Sequence, residues 1–207
     1  MLLPHAELQA LRGIWLPVAL YALVCSVTPG PVNLVAISSG MRFGLRRTLP
    51  QISGATLGFA VLLFAIGMGL GEVLRATPWL LVALKIGGSL FLLYLAWQLY
   101  AASGHAADVK MSAPPSFRDG VLAQWLNPKA WLASAAGVST YTVPGAAYTL
   151  SVAAMTLLFL LMCFASFSAW ALLGASATKL FDSARLIQRL NRAMALLLLL
   201  SIAGLFI

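Results

Sequence analysis

Long apolar blocks constrain this chain more than any other feature of its sequence. Of its 207 residues, 61% are hydrophobic and only 9% are charged, whereas a soluble domain carries about 25% charged residues. A helix needs roughly 20 mostly apolar residues to cross a bilayer, and the apolar blocks reach that length. They are continuous rather than alternating with a period of two, which argues against a β-barrel. The sequence therefore predicts an all-α integral membrane protein.

Six blocks have the length and composition of transmembrane helices. They are predicted at residues 14–41, 49–71, 79–100, 120–138, 146–173 and 190–207. The fourth and sixth are short or flanked by charged residues.

A polar stretch at residues 101–116 divides the chain into halves at 14–100 and 117–207. We expect a single transmembrane domain, 1–207, in which each half contributes three spans and the polar stretch is a cytoplasmic loop. Because three is an odd number, the second half enters the membrane from the opposite side. The predicted fold is therefore six transmembrane helices arranged as two inverted three-helix repeats.

Basic residues concentrate on one side of this predicted domain. The net charge of +8 comes mainly from the segments that follow spans 1, 3 and 5, with Arg42, Arg46, Arg47, Lys110, Arg118, Lys179, Arg185 and Arg189. Only Arg12 and Arg75 fall on the other side. Such a distribution places the basic segments in the cytoplasm, so both termini are predicted on the periplasmic or extracellular face of a bacterial inner membrane. The charge then serves topology and contact with lipid head groups, and no nucleic-acid partner is expected.

The first half contains a proline-interrupted helix. Pro29 and Pro31 flank Gly30, and two prolines remove two backbone donors and prevent normal helical hydrogen bonds. Freed backbone is tolerated at membrane depth only where protein or a water-lined cavity satisfies it. Pro31 suits the first position of a restarted helix, whose amides at residues 32–34, with the polar Asn33 among them, would attract a carboxylate. The alternative interpretation is a kink that only shapes packing.

The second half contains a matching interruption at Asn127-Pro128-Lys129. A lysine at the centre of a membrane helix costs roughly 2.5–3.5 kcal/mol on insertion scales, which favours a functional role for Lys129. The alternative is a lysine that extends to the lipid head groups. Lys85, about two turns inside the third span, is open to the same two interpretations. Broken helices in matching positions of inverted halves indicate a transporter binding site near the membrane midplane.

Few residues in the predicted spans could carry other chemistry. No Asp, Glu or His lies inside a span, so a proton-driven cycle would depend on Lys129 or Lys85 as its titratable group. Cys25 and Cys163 sit in apolar blocks, where we expect small buried hydrophobes rather than a disulfide or metal site. Neither a phosphate-binding loop nor a metal-ligand cluster is present in the sequence. We therefore expect no enzymatic activity, no cofactor and no bound metal.

Several sequence blocks resemble the LysE/RhtB family of amino-acid exporters. They occur in the family's order and cover nearly the whole chain, and they are Thr28-Pro29-Gly30-Pro31, Gly54 with Gly58, Leu84-Lys85-Ile86-Gly87-Gly88, Tyr94-Leu95-Ala96-Trp97, Phe117-Arg118-Asp119-Gly120 and Leu126-Asn127-Pro128-Lys129-Ala130. The combination is specific, although each block alone is not.

The resemblance implies six helices and the export of a small amino acid or related zwitterionic metabolite, driven by an ion gradient. By position, it implies a substrate region formed by Pro29, Gly30, Pro31, Asn33, Asn127, Pro128 and Lys129. Members often carry an acidic residue just after the second glycine of span 2, where this chain has Phe59. That departure weakens the case for carboxylate-based proton coupling and for a dibasic substrate.

Two other functions stay open at this point. An inorganic-ion or metal exporter of the wider superfamily would need intramembrane ligands, such as carboxylates or histidines, that the spans lack. A non-transporting membrane assembly factor would have no need of broken helices. The sequence does not identify the solute, the coupling ion or the oligomeric state, and a homo-oligomer is compatible with it.

Overall fold

The described part of the chain is helical, as predicted. The computed structural model describes residues 4–71, 76–101 and 113–180, with seven further residues between 188 and 199. Its α-helices are α1 His5–Val27, α2 Pro31–Ala65, α3 Pro78–Ala101, α4 Phe117–Trp125, α5 Pro128–Tyr141 and α6 Tyr148–Leu180. A π-helical turn, Ile66–Leu70, continues α2, and a 3₁₀ turn, Gly145–Ala147, precedes α6.

Within the described residues, three helical segments are long and apolar enough to cross a membrane. They are Gln9–Val27, Pro31–Leu70 and Gly145–Ala177. Helix α3 coincides with the predicted third span, while the predicted fourth span is divided between the short helices α4 and α5. The predicted sixth span and the polar stretch at 101–116 fall largely outside the described residues, and so does the side chain of Lys85.

Helix α1 begins earlier than the sequence analysis placed it, at His5 instead of residue 14. The added turns are held by contacts with the segment that precedes α6. Glu7 accepts a hydrogen bond from the backbone nitrogen of Ala147 at 2.8 Å, and Leu11 is buried against Val143 and Ala147. Glu7 lies in the first turn of α1, where a carboxylate is favoured by the helix dipole. Its contact with Ala147 stabilises the turns of α1 that precede the apolar block.

Helix α2 consists of two arms joined at Gly44. This residue has φ 76° and ψ 167°, a conformation that glycine adopts without the penalty other residues incur. Thr48 donates to the Gly44 carbonyl at 2.9 Å, and the hydroxyls of Ser39 and Thr48 lie 2.8 Å apart. The first arm, 31–43, and the second arm, 45–65, therefore meet at a hydrogen-bonded corner without a loop.

Glycines set the close packing of both arms. A side chain on Gly40 would overlap the carbonyl of Ala171 in α6, and one on Gly174 would overlap the carbonyl of Ile37 in the first arm. In the second arm, a side chain on Gly54 would overlap the carbonyl of Phe117 in α4. Small residues let membrane helices approach closely, and these glycines permit such contacts of both arms with α4 and α6.

Apolar side chains fill the space between α1, α2 and α6. The largest fully buried ones include Phe159, Ile52 and Leu62. Large apolar side chains also cover the outside, such as Leu16 at 69% and Trp97 at 68% exposure, as expected of helices that face lipid. Tyr141, at the end of α5, packs against Tyr21 of α1 with ring centroids 5.2 Å apart.

Candidate functional site

The first predicted break lies between α1 and α2. Helix α1 ends at Val27, and the backbone nitrogen of Thr28 closes its last turn on the Val24 carbonyl at 3.0 Å. Thr28 and Gly30 have extended ψ angles of 126° and 177°, as a residue before proline prefers. Pro31 then starts α2, as predicted.

One detail of the first break differs from the prediction. The backbone nitrogen of Leu34 donates to the Gly30 carbonyl at 3.0 Å, because Gly30 acts as the residue that caps the helix. The Leu34 amide is therefore not free to bind a ligand at the first break. The amides of Val32 and Asn33 precede the first intrahelical bond, so they are the ones that a bound anion could use.

The second predicted break lies between α4 and α5. Helix α4 ends at Trp125, and Pro128 starts α5. Between them, the Asn127 side chain caps α5 by accepting from the Lys129 backbone nitrogen at 3.1 Å, a preferred role for asparagine. Its Nδ2 donates to the Gln124 side-chain oxygen, also at 3.1 Å. Asn127 therefore fixes the geometry on both sides of the break.

Lys129 joins the two breaks. Its Nζ donates to the carbonyl oxygen of Thr28 at 2.6 Å, across 101 residues of sequence. The ammonium group lies beyond the C-terminal end of α1, where the helix dipole favours a positive charge. The lysine chain passes over Gly30, because a Cβ atom there would lie 3.3 Å from Lys129 Cδ and 3.5 Å from Nζ. The side chain thus contacts the first break.

Asn33 and the middle of α6 complete the junction. Asn33 is 4% exposed, and its Nδ2 donates to the Ser26 carbonyl at 2.9 Å. The Ser166 hydroxyl donates to the same carbonyl at 2.8 Å, and Ser26 Oγ lies 3.4 Å from Cys163 Sγ. Cys163 and Ser166 are near the middle of the apolar segment Gly145–Ala177. The first break therefore packs against the middle of this segment.

A small cavity lies where the two breaks meet. Its volume is about 30 Å³, measured as space open to the centre of a water molecule, which is room for one or two waters. Four predicted site residues line it, namely Gly30, Asn33, Asn127 and Lys129. The three prolines Pro29, Pro31 and Pro128 are not among the lining residues, so they shape the backbone and do not contribute surface.

Comparison with known proteins identifies the group to which this arrangement belongs. The model of the LysE type translocators matches residues 23–207, which include both breaks. The chain belongs to the LysE type translocator family. The translocator is 29% identical to the cysteine/O-acetylserine efflux protein of Escherichia coli O139:H28 (strain E24377A / ETEC) over 180 residues, covering 86% of this chain and 90% of that protein. The proteins of the same name from Escherichia coli K12 and Shigella sonnei are also 29% identical over 179 residues, with the same coverage. No solved structure matches.

Membership confirms the family predicted from the sequence. The chain is a transport protein of the amino-acid exporter type. Its apolar helices and its family are those of a multi-pass protein of the inner membrane.

The translocator's cavity also contains residues that the sequence analysis did not assign to a site. They are Cys25, Ser26, Val32, Phe59, Gln124, Ala130, Ala133, Phe159, Cys163 and Phe167. Gln124 could have been found, because it is a buried amide one turn before Asn127. The aromatic residues and thiols could not, because apolar residues in a membrane span look alike whether they face lipid, core or cavity. Both cysteines are free, and they face the cavity.

Proposed function

We propose that this translocator is a secondary transporter that exports a small amino acid or related zwitterionic metabolite, which it binds at the junction of the two breaks. The observation that carries the proposal is the hydrogen bond from Lys129 to the Thr28 carbonyl beside the cavity. This bond supports a site with one positive charge next to the N-terminus of α2. The efflux proteins of cysteine and O-acetylserine among the relatives support a substrate of this size and charge.

A substrate carboxylate would compete with Thr28 for Lys129. The present bond joins the Lys129 ammonium group to a neutral carbonyl, whereas a carboxylate would add the attraction between opposite charges, which is stronger where little water screens it. A carboxylate would therefore replace the backbone carbonyl as acceptor. The amides of Val32 and Asn33 would supply further donors. The released Thr28 carbonyl would then be available to accept from the substrate's ammonium group. One exchange of partners therefore satisfies both charges of a zwitterion.

The exchange would also change the contact between the two breaks. In the described conformation Lys129 holds the start of α5 against the end of α1, and the cavity is too small for an amino acid. Binding must therefore separate the helices around the junction, and loss of the bond to Thr28 would permit that movement. Because water leaves the site when it closes, and desolvation favours the neutral form of an amine, Lys129 is our candidate for proton coupling.

We also propose the arrangement of the whole domain. It has six spans in two inverted halves, 14–100 and 117–207, with both termini on the outer face. The distribution of basic residues supports this orientation, and each half begins with a helix interrupted next to a proline. Breaks that face one another fit the inverted-repeat design of other transporters.

Substitution of Lys129 tests the proposed site. Lys129→Met removes the charge and keeps an apolar chain, so the protein should insert normally but lose uptake of labelled amino acids into inside-out vesicles. Lys129→Arg should also fail, because arginine remains protonated. Lys110→Met, in the polar stretch, is the matched control and should transport like the unmodified protein. Wild-type transport by Lys129→Met against a gradient would remove Lys129 from the mechanism.

A further inference from the structure

Two chemical sets of side chains can be distinguished among the residues that line the cavity. The polar set comes from the two breaks and the end of α4, and it comprises Lys129, Asn127, Gln124 and Asn33. The second set is aromatic and comprises Phe59 from the second arm of α2 with Phe159 and Phe167 from α6. Phe159, Cys163 and Phe167 are spaced by four residues, so α6 presents them on one face. The cavity therefore offers a solute both polar and aromatic surface.

The aromatic set is held in place by the core. Phe59 packs on Phe159 with ring centroids 5.0 Å apart, and Phe159 meets Tyr21 edge to face at 5.8 Å. The Tyr21 hydroxyl donates to the Ala133 carbonyl at 2.9 Å. Phe159 is fully buried and Phe59 is 4% exposed. Because tightly packed interiors yield little to added volume, Phe59 cannot withdraw to make room for a larger ligand.

The charges of the cavity restrict the ligand further. Lys129 is the one charged residue among those that line it, and no described lining residue carries a carboxylate. A basic side chain would bring a second positive charge next to Lys129 without a partner, and burial of an unpaired charge is strongly unfavourable. An acidic side chain that extended toward the phenylalanines would find no donor or cation there, because Lys129 already holds the carboxylate of the solute. The side chain of the ligand must therefore be uncharged.

We infer that Phe59 is the residue that limits the size of the transported solute, and that the site takes amino acids with small, uncharged side chains. With the carboxylate on Lys129, the side chain of the solute extends toward Phe59, Phe159 and Phe167. Phe159 and Phe167 belong to α6, whereas Phe59 belongs to α2. Phe59 therefore bounds the cavity on the side of α2. This inference rests on the proposed function and specifies its substrate class.

The test enlarges the cavity by shortening one side chain of the aromatic set. Phe59→Ala and Phe59→Leu are compared with the control Phe64→Ala, which lies on the same helix, is 39% exposed and does not line the cavity. Binding of alanine, serine, cysteine, valine, leucine and phenylalanine is measured by stabilisation of the purified protein against heat, and by competition for vesicle uptake. A methylene group in an apolar pocket changes selectivity by about tenfold or more. The leucine-to-alanine affinity ratio should therefore rise at least tenfold in Phe59→Ala, less in Phe59→Leu, and not at all in Phe64→Ala.

The outcomes separate this inference from the proposed function. An unchanged ratio in Phe59→Ala, in a protein that still binds a small amino acid, would overturn the role of Phe59 and leave the export function standing. A wild-type protein that binds and transports none of the amino acids would overturn the proposed function itself. If Phe59→Ala does not reach the membrane, Phe59→Leu decides the question, because it keeps an apolar side chain and still enlarges the cavity.

Discussion

Gly30 offers the sharpest perturbation of the junction, because it lies directly under the Lys129 side chain. A methyl group at residue 30 would lie 3.3 Å from Lys129 Cδ and 3.5 Å from Nζ, so the lysine must shift by a few tenths of an ångström. The backbone is not an obstacle, since φ is −152°, a value open to every residue. Alanine is a poorer helix cap than glycine but restricts the unfolded chain. Because these effects oppose each other, the free energy of unfolding should change by less than about 1 kcal/mol.

The effect on binding should be larger than the effect on stability. A hydrogen bond to a charged group contributes about 1.5–3 kcal/mol, and partial misalignment of Lys129 would forfeit part of it. We expect Gly30→Ala to weaken amino-acid binding by about tenfold, which corresponds to 1.4 kcal/mol. The assay is a titration of ligand-induced thermal stabilisation, with vesicle uptake as the second measurement.

Gly13→Ala is the control for this experiment. It lies in α1 with no atom within 4 Å of an added methyl group, and alanine in a helix is favoured over glycine by roughly 0.5–1 kcal/mol. This variant should be more stable than the unmodified protein and should bind normally. If Gly30→Ala binds the ligand as tightly as Gly13→Ala does, the position of Lys129 above Gly30 has no part in recognition.

Two further predictions concern topology and access. Reporter fusions at Ser103 and Ile207 should report opposite sides of the membrane, and the same side for both would exclude the six-span arrangement. Because Cys25 and Cys163 line the cavity, a bound amino acid should slow their alkylation by a small maleimide, measured by mass spectrometry. Alkylation at an unchanged rate in the presence of a transported solute would place the solute elsewhere.

The sequence was sufficient for the helical class and for the positions of the two breaks, because both follow from local chemistry. Apolar length specifies the spans, and proline specifies where α1 and α4 must end and a new helix must begin. Lys129 could be singled out because a charge in an apolar block is conspicuous. Its partner could not be identified, since Thr28 contributes a backbone carbonyl and every residue has one.

Other features depend on contacts that no local pattern records. The early start of α1 requires Glu7 to meet the N-terminal end of α6, across 140 residues. The aromatic set of the cavity requires Phe59 to pack on Phe159, whereas Phe64 on the same helix is exposed. Both are phenylalanines in an apolar block, and only the packing of α2 on α6 distinguishes them.

The corner at Gly44 has a consequence for how movement spreads through the molecule. Because the hydroxyls of Ser39 and Thr48 meet across the corner and no loop separates the two arms of α2, we expect displacement of one arm to move the other. The first arm begins at the first break, and the second arm packs through Gly54 on α4, which leads into the second break. Lys129 also links the two breaks directly, by its hydrogen bond to Thr28. The two breaks are thus connected twice, once directly and once through the length of α2, and we expect movement at one break to affect the other.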